Sequence, residues 1–168
     1  MKRVWIVAFL LLATVVAAAG VAISARFLRI EQPIAFNHRL HVEELGSDCT
    51  DCHLYAVTGV RATIPNIELC ADCHSEAQTE SPEEAKLVEF IAAAEPVPWQ
   101  KIYWVPDHVY FSHRRHTTLA GIECEICHGT MADLETPVER QSVRITMDRC
   151  MDCHHETGTS NDCLLCHR

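Results

Sequence analysis

A chain of 168 residues with 23 Asp and Glu against 14 Lys and Arg has a formal net charge of −9, which suits partners with basic surfaces and excludes nucleic acid. Apart from an apolar N-terminal stretch, what remains is the size of one domain. Ten cysteines and eleven histidines in so short a chain narrow the choices to a disulfide framework, metal sites or attached cofactors.

In chain order, Lys2 and Arg3 precede an uncharged run from Val4 to Ala25, which as a helix would span roughly 33 Å against a hydrocarbon core of about 30 Å. This predicts a signal-anchor transmembrane helix over residues 1–30. The competing reading is a cleavable secretory signal, for which Ala17-Ala18-Ala19 offers a small-residue site. The apolar run continues well past that site, as a spanning segment does. The basic residues ahead of it favour a cytoplasmic N-terminus, so residues 31–168 are expected in the bacterial periplasm, held by a single pass at the cytoplasmic (inner) membrane. Without Lys2 and Arg3, 12 basic face 23 acidic residues beyond the membrane, a formal charge of −11.

The cysteines that follow fall into five pairs: Cys49 with Cys52, Cys70 with Cys73, Cys124 with Cys127, Cys150 with Cys153, and Cys163 with Cys166. Each pair is followed at once by a histidine: His53, His74, His128, His154 and His167. Zinc knuckles and thioredoxin-like redox pairs share the cysteine spacing but have no need of that histidine. With eleven histidines in 168 residues, five such coincidences by chance are on the order of one in a million. A Cys-x-x-Cys-His run is the attachment signal for c-type haem: two thioethers grip the vinyl groups and the adjoining imidazole meets the iron. Five covalently bound haem c groups are expected.

The window FNHRLHVEELGSDCTDCH, Phe36 to His53, aligns without a gap on FSHRRHTTLAGIECEICH, Phe111 to His128. Each window is followed by a second motif, at Cys70 and at Cys150. The chain therefore reads as two dihaem units, about 36–74 and 111–154, with a fifth haem in 155–168. Between the units, Ser81-Pro82-Glu83-Glu84 has the form of a capping box, and Leu87, Phe90, Ile91 and Ala94 then line one helical face. Pro96, Pro98 and Pro106 impose an extended stretch whose Trp99, Tyr103 and Trp104 suit packing, with a partner contact as the alternative. Fewer than about 30 residues per macrocycle is too little protein for an ordinary core. The porphyrins must serve as one. The expected fold is mainly α with little regular structure, short helices and loops around stacked haems.

Beyond the motif histidines, six remain: His38, His41, His108, His113, His116 and His155. Four of them form His-x-x-His pairs at matching places in the repeat, a spacing that puts both rings on one face within reach of two haems. They suffice to give every iron a second imidazole. His108, five residues before His113, is either a spare or a substitute for His41 or His116. Met131, Met147 and Met151 are the alternative axial donors.

The Phe-x-His-x-x-His segments ahead of Cys49 and Cys124, and the histidine directly after the Cys150–His154 motif, resemble the class III multihaem cytochromes c. That resemblance implies that His38 completes the haem of Cys49, His113 that of Cys124 and His155 that of Cys163. His41 and His116 would then serve the haems of Cys70 and Cys150, in either order. More narrowly, PDHVYFSHRRHTTLAGIECEICHG, MDRCMDCH and SNDCLLCH look like the pentahaem cytochrome subunit of alternative complex III and related quinone reductase complexes. This implies a non-enzymatic electron-transfer subunit beside an iron-sulfur subunit and a polytopic quinone-binding subunit, exchanging electrons with a periplasmic carrier. The rival readings are a soluble periplasmic shuttle for hydrogenases or dehydrogenases and a multihaem reductase of nitrogen or sulfur oxyanions. A small quinol dehydrogenase is disfavoured, because one spanning helix gives little wall for a quinone pocket.

Overall fold

The computed structural model describes residues 2–27 and 29–167, with the side chains of 2–4, 7–8 and 21–27 outside the description. The chain divides into two compact units, Met1–Glu31 and Gln32–Arg168. The first is a single helix, α1, Lys2–Phe27, of 26 residues. The expected anchor over 1–30 therefore falls partly on residues outside the description. Among the described residues, no helix is long and apolar enough to cross a membrane.

The second unit is a string of short helices: α2 (Cys49–Cys52), α3 (Ile67–His74), α4 (Pro82–Ala93), α5 (Cys124–His128), α6 (Met147–Glu156) and α7 (Cys163–Cys166). Helices this short do not hold themselves, so local caps matter. Asn66 accepts from the Leu69 N–H, Thr146 from the Arg149 N–H and Asp162 from the Leu164 N–H. At α2 the Asp51 carboxylate reaches back to the Asp48 N–H. No strand occurs among the described residues, in line with the expected lack of sheet. One antiparallel bridge joins Val109 to His167.

The duplication is kept in three dimensions. In both copies the second histidine of the pair, His41 or His116, lies in a wide turn closed by i to i−5 bonds, Leu45 N–H to Leu40 carbonyl and Ala120 N–H to Arg115 carbonyl. Each turn ends in a glycine with positive φ, Gly46 at 75° and Gly121 at 64°, a conformation that a Cβ penalises.

Helix α4 starts where the sequence predicts, at Pro82, with two departures. Ser81 accepts from the Glu83 N–H, but Glu84 does not close the capping box, because the Ser81 N–H is taken by the Thr79 hydroxyl. Ala94 does not join the packed face: it ends the helix in the left-handed region, φ 53°, and is exposed. Leu87, Phe90 and Ile91 do pack, against the buried Ile34, Ile67 and Val97, with Trp99 alongside. These residues form one small core. Elsewhere large apolar side chains lie open beside the cysteine pairs, Leu164 at 81% and Leu165 at 62% exposure. Such surface calls for a cover.

The two repeats are tied together by Gln32, whose amide donates to the Gln100 and Val138 carbonyls and accepts from the Gln100 N–H. The Arg39 N–H bonds the Leu134 carbonyl, and its guanidinium pairs with Glu135.

Candidate haem centres

Each Cys-x-x-Cys-His motif lies on or at the end of one short helix, so cysteine, cysteine and histidine emerge together within about one turn. The ten cysteines form no disulfide. Burial pushes the thiols of Cys52, Cys70, Cys124, Cys127 and Cys150 above their usual range, and mutually close thiols add to it.

Opposite the motif histidines the structure places further imidazoles. The ring centres of His41 and His74 are 6.2 Å apart, those of His113 and His128 6.3 Å and those of His116 and His154 6.3 Å, the last two pairs nearly parallel. His108 faces His167 at 5.6 Å. With metal–imidazole bonds of about 2 Å, two rings on opposite sides of one metal have centres roughly 6 Å apart. His38 completes the set: burial first, then the neighbouring His53 and His41, hold its pKa down to about 4, and its buried Nδ1 has no hydrogen-bond partner. Burial likewise lowers His113 and His128, so these rings stay neutral at pH 7, as iron ligation requires.

The ring orientation is fixed from behind. Nδ1 of His41 meets the Asn37 carbonyl at 2.8 Å, that of His116 the Ser112 carbonyl at 2.8 Å, that of His53 the Thr63 carbonyl at 2.8 Å and that of His113 the Val60 carbonyl at 3.1 Å. A carbonyl can only accept, so the proton sits on Nδ1 and the Nε2 lone pair is free for metal. His74 differs: its Nδ1 bonds the buried Glu84 carboxylate at 2.7 Å. Glu84 is held down to about 2, chiefly by the Thr79 hydroxyl and then the Gln78 N–H, with His74 adding to it.

Aromatic rings brace the pairs identically in both repeats. Phe36 stands edge-on to His38 at 4.8 Å and lies along His41 at 4.5 Å; Phe111 does the same to His113 at 4.9 Å and His116 at 4.8 Å. Tyr103 packs edge-on to His128 at 4.4 Å, and its hydroxyl accepts from the Ser142 N–H. Trp104 lies exposed.

Of the histidines expected as second ligands, His41, His113 and His116 each lie within 6.3 Å, ring centre to ring centre, of a motif histidine, and His38 is close enough to His53 to feel its charge. At the last motif the geometry differs from the resemblance. The ring beside His167 is that of His108, while His155 is exposed. His108 is brought there by the Val109–His167 bridge and the bond from the Tyr110 N–H to the Cys166 carbonyl, 2.8 Å. Sequence spacing carries no signal of that pairing.

The motifs also have a definite order of neighbours. His41, facing His74, shares its turn with His38, which lies beside His53; Cys52 in turn raises Cys70. The loop after His53 carries the second histidine pair, through Val60 to His113, Gly59 to Arg114 and Ala56 to Thr117, and Cys124 lies against Cys49. Arg149 of α6 bonds the Ile126 carbonyl in α5, and Asn161, just before α7, bonds the Met151 carbonyl.

Short helices each presenting two thiols and an imidazole, faced by a second imidazole and surrounded by uncovered apolar side chains, define a c-type multihaem cytochrome. Two family descriptions divide the chain near the repeat boundary: "Class III cytochrome C family" matches residues 15–97 and "Cytochrome c7 and related cytochrome c" residues 109–168. The chain is also 32% identical over 163 residues to the multiheme cytochrome c subunit of menaquinone reductase from Nitratidesulfovibrio vulgaris, covering 82% of this chain and 77% of that protein. It belongs to the class III-like multihaem cytochromes c, and its class of activity is electron transfer.

Proposed function

We propose that this chain is a five-haem electron-transfer subunit of a quinone-linked respiratory complex in the cytoplasmic membrane, with its haem domain in the periplasm. The observation that carries the reading is the imidazole set near each motif histidine: His38 for His53, His41 for His74, His113 for His128, His116 for His154 and His108 for His167. Haem held by these residues supplies reversible one-electron exchange at iron. The cysteine pairs fix the group covalently. Two imidazoles at each motif would hold the iron from both sides and leave a substrate no place to bind, which favours conduction over the oxyanion-reductase reading. The backbone carbonyls behind His41, His53, His113 and His116 keep the proton on Nδ1 and so would leave Nε2 to hold iron.

The neighbour relations support a single row: Cys70–His74, Cys49–His53, Cys124–His128, Cys150–His154, Cys163–His167. The order in the row differs from the order in the chain, because Cys124 lies against Cys49 and not against the Cys70 motif.

Helix α1 is read as the anchor. Its uncharged run follows Lys2 and Arg3, its 26 residues extend about 39 Å, and the described Trp5, Phe9, Leu10, Leu11, Val15 and Val16 lie exposed along it. The named relative is a subunit of a menaquinone reductase, which supports a quinone-linked assembly; the partners proposed, from the sequence resemblance, are an iron-sulfur subunit, a polytopic quinone-binding subunit and a periplasmic carrier. Alternative complex III is the narrower assembly suggested by the sequence. Extraction of the tagged protein from membranes in mild detergent is expected to bring an iron-sulfur and a polytopic subunit with it. A protein that comes out alone, with a mature N-terminus near Gly20, would replace this reading with the soluble shuttle.

A further inference from the structure

We infer that Glu84 is a positioning residue that sets the haem at Cys70–His74 to the lowest potential of the row. The inference rests on the haem reading above and adds to it a residue outside every haem motif.

Glu84 occupies the third position of α4, where the capping-box pattern would turn it back to the Ser81 N–H. It turns instead to His74. Its carboxylate accepts from His74 Nδ1 at 2.7 Å, the Gln78 N–H at 2.9 Å, the Thr79 N–H at 2.7 Å and the Thr79 hydroxyl, and its side chain is only 8% exposed. Four donors on two oxygens hold the charge in one place. The reciprocal half of the capping box is replaced by a contact with His74, while Ser81 still caps the helix.

The four other imidazoles with a described Nδ1 partner, His41, His53, His113 and His116, meet backbone carbonyls. A neutral amide oxygen orients the ring and draws little on its proton. A buried carboxylate draws on it strongly, which makes the ring more anionic and a better donor to metal. Better donation, with a fixed negative charge close by in a water-poor setting, favours the more positive oxidation state. The potential of that haem falls relative to its neighbours.

The test compares two variants with opposite expected signs in a redox titration of the holoprotein, followed in the Soret band. Glu84→Gln keeps the shape and removes the charge. It is expected to raise the component of lowest potential by about tenfold in its reduced-to-oxidised ratio, which is 59 mV for a one-electron couple. Thr79→Val removes a competing donor and leaves the charge; more of the carboxylate is then available to His74, and the same component is expected to move down. A structural disturbance alone, by admitting water, would move both variants the same way. Same-sign shifts, or an unmoved lowest component, overturn the inference. If Glu84→Gln fails to assemble, the sign of the Thr79→Val shift decides. Wild-type protein with five low-spin haems and an unresponsive titration sinks this inference alone, whereas fewer than five haems in the wild type sinks the reading beneath it.

Discussion

Replacement of His108 by alanine is expected to convert one haem in five from low-spin to high-spin and to open it to carbon monoxide, while His155→Ala leaves all five low-spin. The difference arises from backbone geometry. The segment around Val109 runs antiparallel to the end of the chain, Tyr110 donates to the Cys166 carbonyl, and the His108 ring comes to rest 5.6 Å from that of His167. His155 sits exposed near the end of α6. Without a distal imidazole the iron of the last motif keeps one axial ligand, and an open face binds small ligands that a filled one rejects. Absorption spectra of ferric protein and of dithionite-reduced protein under carbon monoxide read the outcome. An opened haem in His155→Ala and none in His108→Ala would restore the assignment implied by the family resemblance.

Phe111→Ala is expected to have the next largest effect, because one side chain braces the ligands of two haems. Its ring touches His113 edge-on and lies along His116, and Phe36 repeats the arrangement at His38 and His41. Two aromatic contacts at about 1 kcal/mol each put the loss of stability at about 2 kcal/mol, read from thermal unfolding. The spectroscopic consequence is more specific. With the brace gone both rings can swing, and a partial high-spin signal is expected from two haems, those of Cys124 and Cys150. Phe111→Leu, which refills most of the volume, should recover much of the low-spin state. Lost stability with five intact low-spin haems would reduce Phe111 to packing.

What the sequence disclosed follows from which chemistry is local. Thioether attachment needs fixed spacing, so the five motifs were legible at once, and the aligned windows announced a duplication that the two wide turns and two phenylalanine braces repeat. Helix α4 was legible from Ser81 and Pro82. The capping box was not, because the Ser81 N–H is taken by the Thr79 hydroxyl and Glu84 is held by Gln78, Thr79 and His74, the last ten residues back and outside any local window. The same cause hid the place of His108: its neighbour His167 is reached through a bridge between distant segments. The order of neighbouring motifs was hidden too, since a motif's spacing says nothing of which motif lies beside it. The expected scarcity of core agrees with the few buried residues around Ile34, Ile67 and Val97. The anchor remains a reading of charge and apolarity along residues 1–30.

The measurement that bears most directly on the whole account is a spin quantification of the oxidised holoprotein by low-temperature paramagnetic resonance, with near-infrared magnetic circular dichroism to identify the axial ligands. Five equivalents of low-spin bis-imidazole ferric haem per chain are expected. Four or fewer equivalents, or one with high-spin or histidine–methionine character, would contradict it.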